Sequence, residues 1–280
     1  RPSLRIARGA PPRSTRHPVH PLVTVITPTT GASYLAQCVA SVAAQTYPNV
    51  QHLVVVDGEE RLAGASAILK DAKVRDLDLI ALPYATGKDR YNGHRIYGAA
   101  SYIARGEFIC FLDEDNWYDP RHVEALMACM TGNTKWAFSL RKIVDQAGNY
   151  VCNDDCESLG LWESCVGDGD FLVDTSCYLM PTLLAVNLTP LWYRKFREPG
   201  VACSDRAIMQ MLHGNRIPGR TSGEYTLNYR TGNTGLSVRA EFFLTGNERM
   251  KARHPSGFPW VNAAANAAPP AAANAARRPA

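Results

Sequence analysis

The sequence predicts an α/β protein built on a mostly parallel, Rossmann-like sheet flanked by helices, and three observations point there. Short β-branched runs alternate with segments of helical apolar spacing through the first 120 residues. An acidic cluster follows directly on one of those runs. Finally, 280 residues at 46% hydrophobic and 20% charged suffice for a sizeable core and exclude collagen-like, coiled-coil and wholly disordered classes.

The elements follow in order. Leu22 to Thr27 is a β-branched run ending at Pro28, which reads as a buried strand stopped at a turn. Beyond Thr29-Thr30-Gly31 the period changes: Leu35, Val39 and Val42 recur at helical spacing, with Ser33 as the expected N-cap. Leu53 to Val56 is a second strand ending at Asp57-Gly58, followed by a helix from Ala63 to Ala72 and a third strand from Leu77 to Leu82. A helix from His94 to Ala104 leads to the fourth strand, Glu107 to Leu112. Such alternation implies βαβ units with right-handed crossovers.

The second half is less regular. Lys135 to Leu140 and Lys142 to Val151 resemble a hairpin, with a turn at Asp145–Gly148 inside the second segment as the alternative. Ser204 to His213 reads as helix and Tyr225 to Tyr229 as strand. Residues 1–21 form a basic, Pro-rich arm, with Arg1, Arg5, Arg8, Arg13 and Arg16 all preceding the first carboxylate, Asp57. A solvated arm is the expectation, and contact with a phosphate-bearing surface the alternative. Residues 261–280 are an Ala/Asn/Pro-rich tail without large apolar groups.

A net charge of +4 is too small to argue for nucleic-acid binding. No stretch approaches the roughly 20 apolar residues of a bilayer span, and the Arg-rich start lacks a signal-peptide core, so a cytoplasmic protein without a transmembrane segment is expected. Eight cysteines include no CxxC pair, and Cys152, Cys156, Cys165 and Cys177 match no zinc-ribbon spacing. Buried free thiols are expected, with a disulfide or metal site as the alternative.

The chemistry concentrates in Phe111-Leu-Asp-Glu-Asp-Asn116. An apolar strand runs into carboxylates at its carboxyl end, the edge where open α/β sheets bind ligands. If extended backbone continues, Asp113 and Asp115 project to one side. Two carboxylates plus phosphate oxygens suit Mg²⁺ or Mn²⁺. Asp57 ends the second strand at the same edge, where its carboxylate can accept an imino N–H of a pyrimidine or satisfy its own turn.

These residues carry a resemblance. Val23-Thr-Val-Ile-Thr-Pro28, Cys38 to Asn49, Val54-Val-Val-Asp57 and Gly106 to Asp115 resemble the family-2 inverting glycosyltransferases of the GT-A fold, densely from Leu22 to Pro120. The resemblance implies one domain over 22–260, with a nucleotide-sugar half at 22–120 and an acceptor half at 121–260. It implies that Thr27, Pro28 and Asp57 hold the base and ribose, that Asp113 and Asp115 are a DxD pair for Mn²⁺ or Mg²⁺, and that Asp113 also contacts the nucleotide. Arg95, in Asn92-Gly-His-Arg95, stands in for a diphosphate-binding arginine. In place of the family's His after Tyr-Arg, this chain has Thr231-Gly-Asn233 after Arg230.

The implied activity is transfer of a sugar, with inversion, from a nucleotide-sugar (UDP-linked favoured) to a hydroxyl acceptor of unspecified class. The base would be the acid opening a helix after the acceptor loop, which is Asp205 here; Asp168, Asp170 and Asp174 are the next candidates. Trp117, Trp162 and Trp192 are expected to pack rather than stack on sugar. The alternatives are a GT-A-fold binding or scaffolding protein without catalysis and, behind it, a nucleotidyltransferase, which would want a basic Gly-rich loop where Thr29-Thr-Gly-Ala32 stands. No Walker loop or GxGxxG supports a kinase or dehydrogenase.

Overall fold

The computed structural model describes residues 20–72, 77–88, 91–193, 204–233 and 237–261. Most of the basic arm and nearly all of the Ala-rich tail lie outside them.

The first half is a βα alternation. Strands β1 (Val23–Thr29), β2 (Val50–Val56), β3 (Leu77–Ala81) and β4 (Phe108–Phe111) are all parallel, in the order β3-β2-β1-β4. Helices α1 (Leu35–Ala43), α2 (Leu62–Asp71) and α3 (His94–Ala100) make the crossovers. β2 explains why its run is apolar without alternation. Leu53 and Val55 face the main core, while Val54 and Val56 join Leu35, Val39, Ala65 and Leu69 in a second cluster under α1 and α2. A strand covered on both faces needs apolar residues at every position.

Beyond β4 the sheet becomes mixed. β8 (Tyr178–Pro181) pairs antiparallel with β4 and with β6 (Trp136–Val144); β6 pairs parallel with β9 (Gly219–Arg230); β9 pairs antiparallel with β5 (Trp117–Tyr118). β7 (Tyr150–Asn153) is hairpinned onto β6. Helices α4 (His122–Ala128), α5 (Thr182–Trp192), α6 (Ser204–Gly214) and α7 (Ala240–Arg253) complete the chain. One sheet thus carries both halves.

Three expectations need correcting. β6 runs unbroken through Arg141, and its turn is the one at Asp145–Gly148, where Gly148 N–H donates to Asp145 O. β9 begins at Gly219, six residues before the expected strand. Ser33 does not cap α1; Tyr34 is the cap position and no side chain bonds the helix end. No described helix is long and apolar enough to cross a membrane. The seven described cysteines are all free thiols.

Candidate active site

The carboxyl ends of β1, β2 and β4 lie along one edge of the parallel sheet, and the end of β9 is bonded to the turn after β4. The acidic segment does not continue as the extended backbone expected to place Asp113 and Asp115 to one side: the strand ends at Phe111, and Asn116 N–H folds back to Asp113 O at 3.1 Å. The two aspartates reach the edge through a turn. Asp113 accepts from the Tyr97 hydroxyl at 2.6 Å, and its own N–H donates to Ser176 Oγ. Asp115 accepts from the Asn233 amide.

Glu114, between them, fastens the turn to the β1–α1 loop. Its carboxylate accepts from Thr29 Oγ1 (2.5 Å), Thr30 Oγ1 (2.7 Å), Thr30 N–H (2.9 Å) and Ala32 N–H (3.1 Å). Arg230, at the end of β9, ties the other side. Its guanidinium bonds Asp115 O, Gln146 O and Gln37 Oε1 and lies over the rings of Tyr34 and Trp117. Its N–H donates to Asn116 Oδ1.

Thr27 and Pro28, expected at the base and ribose, are buried. The Thr27 hydroxyl lies 3.0 Å from His52 Nε2, and Pro28 packs where a Cβ on Gly93 would come within 2.6 Å of its ring. Their side chains form the floor of the edge rather than its surface. Asp57 accepts from Thr86 N–H (2.6 Å), Thr86 Oγ1 (2.9 Å) and Gly87 N–H (3.0 Å), so it fixes the loop after β3. Arg95 stacks 3.5 Å over Tyr91 and donates to Thr86 O, in that same loop.

Asp205 opens α6, half-buried, with Arg206 N–H on its Oδ1 at 2.8 Å. Its charge reaches Asp113, Asp174, Glu157 and His94. Burial pushes the Asp113 carboxyl up to about 8, the negative charges of Asp115, Asp174 and Asp205 push the same way, and the Tyr97 hydroxyl opposes them. Asp115 is raised as well, first by burial, against the Asn233 hydrogen bond.

Behind α6 sits a fully buried guanidinium. Arg141 bonds Asp154 (2.7 Å), Glu157 (2.6 Å) and Asp174 (2.6 Å), beneath the Tyr229 ring at 4.3 Å. Arg206 pairs with Glu157 and Asp170. Of the alternative bases, Asp170 and Asp174 are therefore committed to arginines, and Asp168 is exposed. Trp192 packs in the core against Tyr97 and Phe111, and Trp162 lies against Trp260.

Sequence reasoning gave no role to Tyr97, Glu114, Arg141 or Arg230. Glu114 was visible within the acid run, but its partners lie more than 80 positions away. Among the described residues no three His, Cys, Asp or Glu side chains gather as a complete metal-ligand set.

The sequence model for glycosyl transferase family 2 matches residues 24–151, which include the carboxyl ends of β1, β2, β3 and β4 and the acidic turn. No curated protein matches the sequence. Among solved structures, S. aureus TarS 1-349 is 16% identical, with a TM-score of 0.53 over 75% of this chain and 60% of that one. The same fragment in complex with UDP is 14% identical, with a TM-score of 0.53 over 88% and 75%. Mannosyltransferase PcManGT from Pyrobaculum calidifontis, in complex with GDP-Man and Mn²⁺, is 14% identical, with a TM-score of 0.55 over 88% and 69%. This chain spans about three fifths of the first TarS fragment. Residues 24–151 thus match the model of glycosyl transferase family 2, and the chain as a whole has the GT-A fold of these solved glycosyltransferases.

Proposed function

We propose that this chain is a divalent-metal-dependent glycosyltransferase that moves a sugar from a nucleotide-sugar to a hydroxyl acceptor with inversion, a UDP-linked donor being favoured. The observation that carries this reading is the approach of Asp205, from the second half, to Asp113 at the sheet edge. Neighbours solved with UDP, and with GDP-Man and Mn²⁺, support it. In this reading 22–120 is the nucleotide-sugar half and 121–260 the acceptor half of one domain.

Asp57 accepts from the base, above the floor made by Thr27 and Pro28, and Arg95 lies toward the diphosphate. Asp113 and Asp115 would hold Mn²⁺ or Mg²⁺. They fit it: both are hard oxygen donors, and burial holds both carboxyls up, with the charge of Asp115 adding to the rise at Asp113. A two-carboxylate site completes its shell with diphosphate oxygens and water. A bound cation supplies charge stabilisation to the departing diphosphate. Asp205 takes the proton from the acceptor hydroxyl as that oxygen attacks the anomeric carbon. Tyr97 and Asn233 orient the two metal-side carboxylates.

Calorimetric titration with UDP, GDP, dTDP and CDP, each with Mn²⁺ and with EDTA, tests the reading. One diphosphate is expected to bind tightly and only with metal. No binding by folded protein overturns the donor site and favours a scaffolding role.

A further inference from the structure

A second chemical cluster lies away from the acidic edge, where the segment after β7 passes under α7. Cys156 and Cys165 are both buried, and their thiols hydrogen-bond each other. Cys165 N–H donates to Cys156 O at 2.7 Å, so the two backbones meet directly at these residues. Gly246 of α7 makes room for both sulfurs. A Cβ there would stand 2.6 Å from Cys156 Sγ and 2.9 Å from Cys165 Sγ. The next residue, Asn247, holds the same segment, accepting from Asp155 N–H and donating to Asn153 O.

We propose that Cys156 and Cys165 are a dithiol that closes to an intramolecular disulfide by exchange with a low-molecular-weight disulfide such as glutathione disulfide. The Cys165 thiolate attacks the small disulfide, one S–S bond forms as the other breaks, and the first glutathione leaves as a thiolate that takes up a proton. The Cys156 thiolate then displaces the second glutathione from Cys165. Two protein thiols are oxidised and one glutathione disulfide is reduced to two glutathione thiols. Cys165 is the entry point because it is the more exposed of the two; burial holds its thiol up, and the Arg249 charge works against that rise.

The bond would staple the loop between the two cysteines. That loop begins with Glu157, which joins Arg141 to Arg206 beside Asp205. Oxidation would therefore fix the underside of α6 without touching the sheet edge.

The full chain is incubated with glutathione disulfide, freed of it, and denatured in the presence of an alkylating agent, so that each thiol left free is counted by its alkyl group and the protein is then peptide-mapped. Free thiols are expected to fall from eight to six, with Cys156 and Cys165 peptides linked and separable by dithiothreitol. Gly246→Ala, whose methyl would crowd both sulfurs, is expected to slow closure. A lasting glutathione adduct on Cys165, a link through Cys152, or two unreacted thiols in protein opened by mild urea each overturn the proposal. The wild-type map decides even where Gly246→Ala fails to fold.

Discussion

The Tyr97 hydroxyl donates to Asp113 Oδ1 at 2.6 Å, from a ring wedged between Phe111 and Trp192. Phe111 leads into the acidic turn, so the same aromatic cluster sets both ends of this hydrogen bond. Tyr97→Phe keeps the packing and removes only the donor. A hydrogen bond to a charged group is worth about 1.5–3 kcal/mol. Metal-dependent diphosphate affinity should therefore drop by about 10- to 150-fold, as calorimetry in Mn²⁺ would read, with thermal stability little changed. An unaltered affinity would mean that Tyr97 does not orient Asp113.

Arg141 is a case where removal of one partner strands several. Burial alone would raise Asp154, yet the guanidinium and the N–H groups of Cys156 and Ser158 hold it low. Glu157 and Asp174 remain raised by burial despite the same arginine. Arg141→Met leaves three carboxylates without their shared cation, and breaking a buried pair costs about 3–5 kcal/mol. Urea denaturation should show at least that loss. Arg141→Lys should recover little of it, because a single ammonium cannot span three carboxylates in the guanidinium's geometry.

The same arginine shows where reading the sequence stops. The strands of the first half were legible because each is buried on one or both faces by local pattern alone, as Leu53 to Val56 is. Around Arg141 the pattern reads as a break between two strands. The structure continues β6 through it because acids from positions 154, 157 and 174 arrive to neutralise it, and no local window contains them. α5 was missed for a related reason: it is apolar on most sides and contains Pro190, so it lacks a 3.6-residue period. At the site, the acid run pointed to the right edge. The turn that aims Asp113 and Asp115 depends on Tyr97, Glu114 and Arg230, whose contacts cross 16 to 193 positions.

Two buried histidines set an acid limit on stability. Burial pushes His52 and His122 from 6.5 down to about 3. Both stay neutral in the folded chain while the unfolded chain protonates them below about 6.5. Their contribution is thus fully present above pH 6.5 and is lost as pH falls toward 3. His52→Gln removes one such proton uptake. Between pH 4 and 6 its plot of unfolding free energy against pH should be shallower than wild type by up to about 1.4 kcal/mol per pH unit. Parallel plots would place the His52 titration at its unfolded value.

Asp205→Asn separates chemistry from binding. The side-chain oxygen that accepts from Arg206 N–H survives the change, so the opening of α6 should hold its shape. The amide cannot take a proton, and loss of a positioned base costs about 10²–10⁴-fold in rate. Transfer should fall by that factor while diphosphate affinity in Mn²⁺ stays within about threefold, since only a chemical-step interaction is removed. One less negative charge near Asp113 acts on affinity in the opposite direction from its ionisation, which keeps the net change small. Wild-type transfer rates would move the base elsewhere, and Asp174 would be a poor successor because its carboxylate is already held by Arg141. A parallel collapse of affinity would instead make Asp205 a support of the donor site.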